Sequence, residues 1–192
     1  MLNGRGPDGR YVLVVGGTGM LRRAGHELIG RGHGVLAVAR RPARGAPVGD
    51  GPGEYVPVEA DWRRPEALGD AIRTELLGRG VASGAILGAI VWVHSPHRQA
   101  VLDQLEGLLE PGATVLQVWG SAASDPREVM ANDDGCAARP WRARHLFLGY
   151  HLDERGARWL TDEEISRAAV RAWDGDGRPS LAGQVDPWEH RP

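Results

Sequence analysis

Residues Tyr11–Leu28, YVLVVGGTGMLRRAGHEL, constrain this chain more than any other stretch: five apolar residues, a glycine-rich turn, then a run with helical periodicity. Tyr11–Val15 is continuous and rich in valine, the pattern of a central parallel strand buried on both faces. Met20–Arg31 sets Met20, Leu21, Ala24 and Leu28 on one side and is predicted helical. Between them, Gly16 and Gly17 allow a tight turn. Gly19, flanked by Thr18 and Met20, leaves the helix start open to close approach. Unpaired N–H groups and the helix dipole favour an anion at such a place. Strand, glycine turn and helix in this order form the setting a dinucleotide diphosphate requires, beyond what a glycine-rich turn alone would imply.

The remaining pattern alternates in the same way. Strands are predicted at Val35–Ala39, Tyr55–Val58, Ala89–His94, Thr114–Trp119 and Arg144–Tyr150, with an edge strand at Leu181–Val185. Helices are predicted at Pro65–Arg79 and after Ser95, which reads as a cap with Pro96 in the first turn and with Pro111–Gly112 as the stop. A third follows Thr161, whose spacing to Glu164 reads as a capping box. Trp92 and Trp119 are expected in the core. Alternation of this kind implies one α/β domain over 1–192, a doubly wound, mostly parallel Rossmann sheet with helices on both faces. Residues 1–10 are expected to be a flexible leader, and 120–142, which lacks periodicity, a substrate loop.

Composition narrows the function. The formal charge of −2 offers no basic stripe for a nucleic-acid backbone. No run approaches the ~18 apolar residues of a membrane span. Cys136 is the one cysteine, so neither an internal disulfide nor a thiolate metal cluster can form, which fits a reducing, cytoplasmic setting. Its loop offers no activating neighbour. His94 and His97 lie three apart with no third ligand at a recognisable spacing, so no metal site is expected. The second strand ends in Arg40–Arg41 with no carboxylate. An acidic residue there would accept from the ribose of NAD, whereas arginine suits the 2′-phosphate, so NADP is favoured over NAD.

The Gly16-x-x-Gly19-x-x-Arg22 spacing resembles the short-chain dehydrogenase/reductase superfamily, especially its atypical branch of small bacterial NAD(P)-binding proteins with a GGTGxL loop. Arg22 departs from it by standing where the pattern has a last glycine. The resemblance implies that Gly16, Gly17, Thr18, Gly19 and Met20 hold the cofactor and that Asp61 holds the adenine amino group. It places Ser121 at the carbonyl-polarising strand end, with Ser124 a weaker substitute, and His94 beside the nicotinamide. A homodimer is implied by family habit.

The family's Tyr-x-x-x-Lys proton relay is absent. All 23 basic residues are arginines, and residues four after Tyr11, Tyr55 and Tyr150 are Val15, Glu59 and Glu154. His94, Tyr150 and His151, expected at strand carboxyl ends, are the substitute proton donors. An NADPH-dependent reductase of a small-molecule C=O or C=N group is thus expected. The alternatives are a non-catalytic NAD(P) sensor of the NmrA type and a cyclase or lyase on the same fold.

Overall fold

Every residue of β1 (Tyr11–Val15) is buried, as its composition requires. In the computed structural model, which describes residues 10–49, 51–120 and 139–192, β1 lies near the centre of a seven-stranded sheet. Its partners are β2 (Gly34–Ala39), β3 (Glu54–Glu59), β4 (Ile86–Val91), β5 (Leu109–Trp119), β6 (Arg142–Leu148) and β9 (Ser180–Ala182). The spatial order is β3-β2-β1-β4-β5-β6-β9, and every pairing is parallel.

Period-two alternation splits β1 between two cores. Tyr11, Leu13 and Val15 pack with α2 (Pro65–Gly78) and α3 (Arg98–Leu105). Val12 and Val14 pack with α1 (Arg22–Gly30) and α4 (Asp162–Asp174). The sheet is therefore covered on both faces, the doubly wound arrangement expected from the alternation. Among the described residues no helix is long and apolar enough to cross a membrane.

Several element boundaries differ from expectation. β4 ends at Val91, and the turn from His94 to His97 is closed by His97 N–H on the His94 carbonyl at 3.1 Å. Ser95 therefore caps nothing, and α3 starts at Arg98 with His97 as its N-cap. Pro111–Gly112 does not stop that helix, which ends at Leu105. The two residues sit at a register irregularity of β5, where Gly112 N–H donates to Pro140 O. β6 stops at Leu148, so Tyr150 and His151 do not finish it. They open a hairpin of β7 (Tyr150–Asp153) and β8 (Gly156–Trp159) that the alternation does not reveal. The last edge strand is shorter than expected, Ser180–Ala182.

The capping box on α4 is present. Glu164 N–H donates to Thr161 Oγ1 at 3.2 Å, and Thr161 N–H donates back to Glu164 Oε2 at 2.8 Å. Arg158 pairs with the same carboxylate and, with the Thr161 N–H, holds it down at about 2. A lowered carboxylate contributes stability that is complete above its ordinary value of 4.5 and disappears as pH falls toward about 2. Thr161→Ala should cost about 1 kcal/mol, or roughly 2–4 °C in melting temperature. A thermal melt at neutral pH measures it, and an unchanged midpoint would mean the cap contributes nothing.

Candidate functional site

Sheet order reverses at β1, whose neighbours are β2 on one side and β4 on the other. In open α/β sheets the crevice at this reversal, beyond the strand carboxyl ends, is where ligands bind. The turn after β1 occupies it. Gly16 adopts φ +87°, a conformation that suits glycine, and its N–H donates to Val38 O at 2.9 Å. Among the described residues, the N–H groups of 17–21 donate to no acceptor, and the next bonded one is Arg22 N–H on Gly19 O at 3.0 Å. Leu21 at the N-cap of α1 contributes no side-chain acceptor, and the first turn contains no acidic residue. No side chain at the start of α1 therefore accepts from these donors. A Cβ at Gly19 would meet nothing within 4 Å, so open space lies over the turn.

Two contacts hold the turn from behind. Ser166 of α4, itself buried, donates to Met20 O at 2.5 Å. Gly45 lies so close that a Cβ there would sit 3.1 Å from Thr18 Cγ2 and 2.8 Å from Tyr55 Oη. Gly45 ends a 3-10 turn, Pro42–Gly45, anchored by Tyr55 O–H on Pro42 O at 2.5 Å and by His26 Nε2 within 2.7 Å of Gly45 O. Burial pushes the Tyr55 phenol above its ordinary value, which keeps it a donor.

Arg40 and Arg41 lie between the end of β2 and that 3-10 turn, which itself contains Arg44, and all three are exposed. None forms an ion pair among the described residues. Sequence reasoning missed Arg44, although the RRPAR run contains it. Asp61 follows β3 and chelates Arg63 through contacts of 2.6 and 3.0 Å, which with the Arg63 N–H holds its carboxyl near 2. Arg40 adds a smaller push in the same direction. Trp62, next in sequence, lies 5.9 Å from the His94 ring and 5.5 Å from that of His97. Its signal was available as an aromatic directly after the Asp61 position.

His94 is exposed beyond β4, with its ring edge-on to Trp92 at 5.1 Å. Trp92 in turn lies beside the glycine turn, since a Cβ on Gly16 would sit 3.3 Å from Trp92 Cδ1. His151 does not belong to a sheet end. It is on the hairpin, 3.4 Å from Asp153 Oδ2. Tyr150 is fully buried and its hydroxyl donates to Pro187 O, so it faces no open cleft. Ser121, Ser124 and Cys136 lie outside the described residues. Trp92 and Trp119, expected in the core, are half-buried at the ends of β4 and β5. Between the β4–α3 turn and β5 lies a cavity of about 280 Å³ lined by Ser95, Arg98, Gln117 and Trp119 among others. The Arg98 guanidinium stacks 3.7 Å from the Trp119 ring centre. A wider groove of about 900 Å³ runs between α1 and α4 and includes Arg22. Among the described residues no His, Cys, Asp and Glu cluster could hold a metal.

No family model matches the sequence, and no curated protein matches it. Solved structures do. A Rossmann-fold NAD(P)-binding family protein from Shigella flexneri superposes with TM-score 0.60 at 13% identity, covering 92% of this chain and 94% of its own. A short-chain dehydrogenase/reductase of the glucose/ribitol dehydrogenase type from Brucella melitensis gives 0.64 at 14%, covering 91% and 95%. The fold is that of the short-chain dehydrogenase/reductases. A reductase/Diels-Alderase from Malbranchea aurantiaca has it too, with TM-score 0.62, 14% identity and coverage of 90% and 93%. Within the short-chain dehydrogenase fold, the glycine turn, the β2 arginines and Asp61 occupy three adjacent strand ends on one side of the sheet.

Proposed function

We propose that this chain is an NADPH-dependent reductase of a small-molecule C=O or C=N group that works without a Tyr–Lys relay. The observation that carries the cofactor is the run of N–H groups at 17–21, which donate to no acceptor among the described residues and lie under open space at Gly19. Gly16, Gly17, Thr18, Gly19 and Met20 would hold the diphosphate, and Asp61 the adenine amino group. Arg40 and Arg41, with Arg44, would hold the 2′-phosphate, because guanidinium forks match phosphate geometry and these have no carboxylate partner among the described residues. Bound nicotinamide supplies a hydride, and the chain's own groups must orient the acceptor and deliver a proton.

The three tyrosines are poorly placed for that proton. Tyr11 is at the amino end of β1 and donates to Glu54, Tyr55 donates to Pro42 O, and Tyr150 to Pro187 O. His94, exposed just beyond β4, would be the donor, and imidazole is a common general acid. The 280 Å³ cavity beside β5, at the lower end of ligand-pocket sizes, suits a small substrate. Loss of the relay favours C=N reduction, since an iminium is already electrophilic.

Calorimetry of NADPH against NADH tests the cofactor, and a panel of carbonyls and imines followed by NADPH absorbance tests the reaction. Replacing Arg40 and Arg41 together with alanine should weaken NADPH by about tenfold or more, the value of lost charged hydrogen bonds, with little change for NADH. Equal losses for both cofactors would remove the 2′-phosphate role. The commitment of all three tyrosine hydroxyls also favours a second reading, a sensor that binds NADP(H) without turnover. Tight binding with no oxidation by any member of the panel would select it.

A further inference from the structure

We propose that Trp92 is the surface on which the nicotinamide ring stacks, a positioning residue for the second half of the cofactor. The inference rests on the cofactor reading and adds to it a ring contact that the glycine turn does not specify. With the diphosphate on the 17–21 turn at β1, the sheet order leaves two directions for the nucleosides. One runs over β2 and β3, toward Arg40, Arg41 and Asp61. The other runs over β4 and β5.

Trp92 is the large side chain on that second path. Its N–H donates to Val15 O at 3.0 Å, so its backbone is an extension of the β1–β4 ladder. Its indole spans the gap between two glycines. A Cβ on Gly16 would lie 3.3 Å from Trp92 Cδ1, and a Cβ on Gly120 would lie 2.6 Å from Trp92 Cη2. Absence of side chains at the ends of β1 and β5 thus makes the room that the indole occupies. One side of the ring packs on the α1–α4 core, and the His94 ring meets it edge-on at 77°. The residue stays half-buried, so part of its surface remains accessible.

Indole is electron-rich, and the oxidised pyridinium is electron-poor and cationic, so a stack on Trp92 favours NADP+ over NADPH. Three full-length proteins separate this role from simple packing: the parent, Trp92→Leu and Trp62→Leu. Each is titrated with NADP+ and NADPH by calorimetry and by difference absorbance on the long-wavelength side of the indole band. The parent and Trp62→Leu should show a broad indole–pyridinium charge-transfer band with NADP+ and none with NADPH. Trp92→Leu should lose the band and bind NADP+ about fivefold to tenfold more weakly, with NADPH changed by less than about twofold. Should Trp92→Leu fail to fold, Trp92→Phe, which keeps a ring, takes its place and should show a much weaker band. Heat of NADP+ binding without a band in the parent overturns the stacking and leaves the cofactor reading intact. A band lost in Trp62→Leu, or equal losses for both redox states in Trp92→Leu, also overturns it. Absence of heat with either nucleotide overturns the cofactor reading, and the stacking with it.

Discussion

Valine at position 19 is expected to leave the protein folded and to weaken NADPH binding by at least about tenfold, close to 1.4 kcal/mol. Gly19 is exposed, lies outside the glycines with positive φ, and a Cβ there would touch no protein atom within 4 Å. The substitution is then a surface change, within about 0.5 kcal/mol in stability and roughly 2 °C in melting temperature. The space the side chain fills is that above the 17–21 N–H groups, where a diphosphate would come closest. Gly16→Val provides the contrast. At φ +87° a branched residue is strained, and its Cβ would crowd Trp92 O at 3.1 Å. Strain of about 1–3 kcal/mol then falls on the folded turn itself, lowering the melting temperature as well as the affinity. The two variants together give a pattern that general destabilisation cannot produce: position 19 affects binding alone, position 16 affects both. Calorimetry and thermal melts read it. If Gly19→Val binds NADPH as tightly as the parent, the turn is not the phosphate site.

The contrast shows which parts of the site are visible in a linear sequence. Contiguous features are: the strand, the glycines and the helix lie within twenty residues, and Arg40–Arg41 follow a short apolar strand. Each depends on local rules of turn geometry and burial. What holds the site together is not contiguous. Ser166 reaches Met20 O from 146 residues away, and Gly45 fits against Thr18 because Tyr55, on the next strand, pins Pro42. A serine in a helix or a tyrosine in a strand carries no local mark of such a contact.

Tyr150 shows the opposite failure. LFLGYHL reads as one strand because its apolar residues are continuous, but Gly149 ends the ladder there. A Cβ at Gly149 would meet Gln184 backbone, so the chain passes close to its own tail, and Tyr150 pairs with Gln184 and turns its hydroxyl to Pro187. The glycine was the available signal. Its meaning depended on a segment more than thirty residues later. The same holds for Trp92: its apolar character suggests a core position, and its place at the crevice follows from the two glycines it lies between.

Gly88→Ala should be the most destabilising single methyl addition in the sheet, at about 3 kcal/mol. Gly88 lies in β4, between Val12 of β1 and Thr114 of β5. A Cβ there would run into the backbone oxygen of Thr114 and come within 2.6 Å of Trp173 Cη2 on α4. The indole can move, because Trp173 is only partly buried near the end of its helix. The carbonyl cannot, since moving it separates β4 from β5 and costs ladder hydrogen bonds in a buried place. The melting temperature should fall by roughly 6–12 °C for a chain of this size. Adding Trp173→Leu should recover part of that loss, the part due to the indole, and leave the backbone part in place. The remaining effect bears on function. β4 delivers Trp92 and His94 to the crevice, and its register against β5 already shifts between Ile86 and Gly88. A strand pushed at this point moves both rings relative to the glycine turn. NADPH affinity in Gly88→Ala should therefore fall even well below the melting transition. A variant that melts within about 1 °C of the parent would mean that β4 and β5 do not approach as described, and that the ends of the two strands are not held in the positions given above.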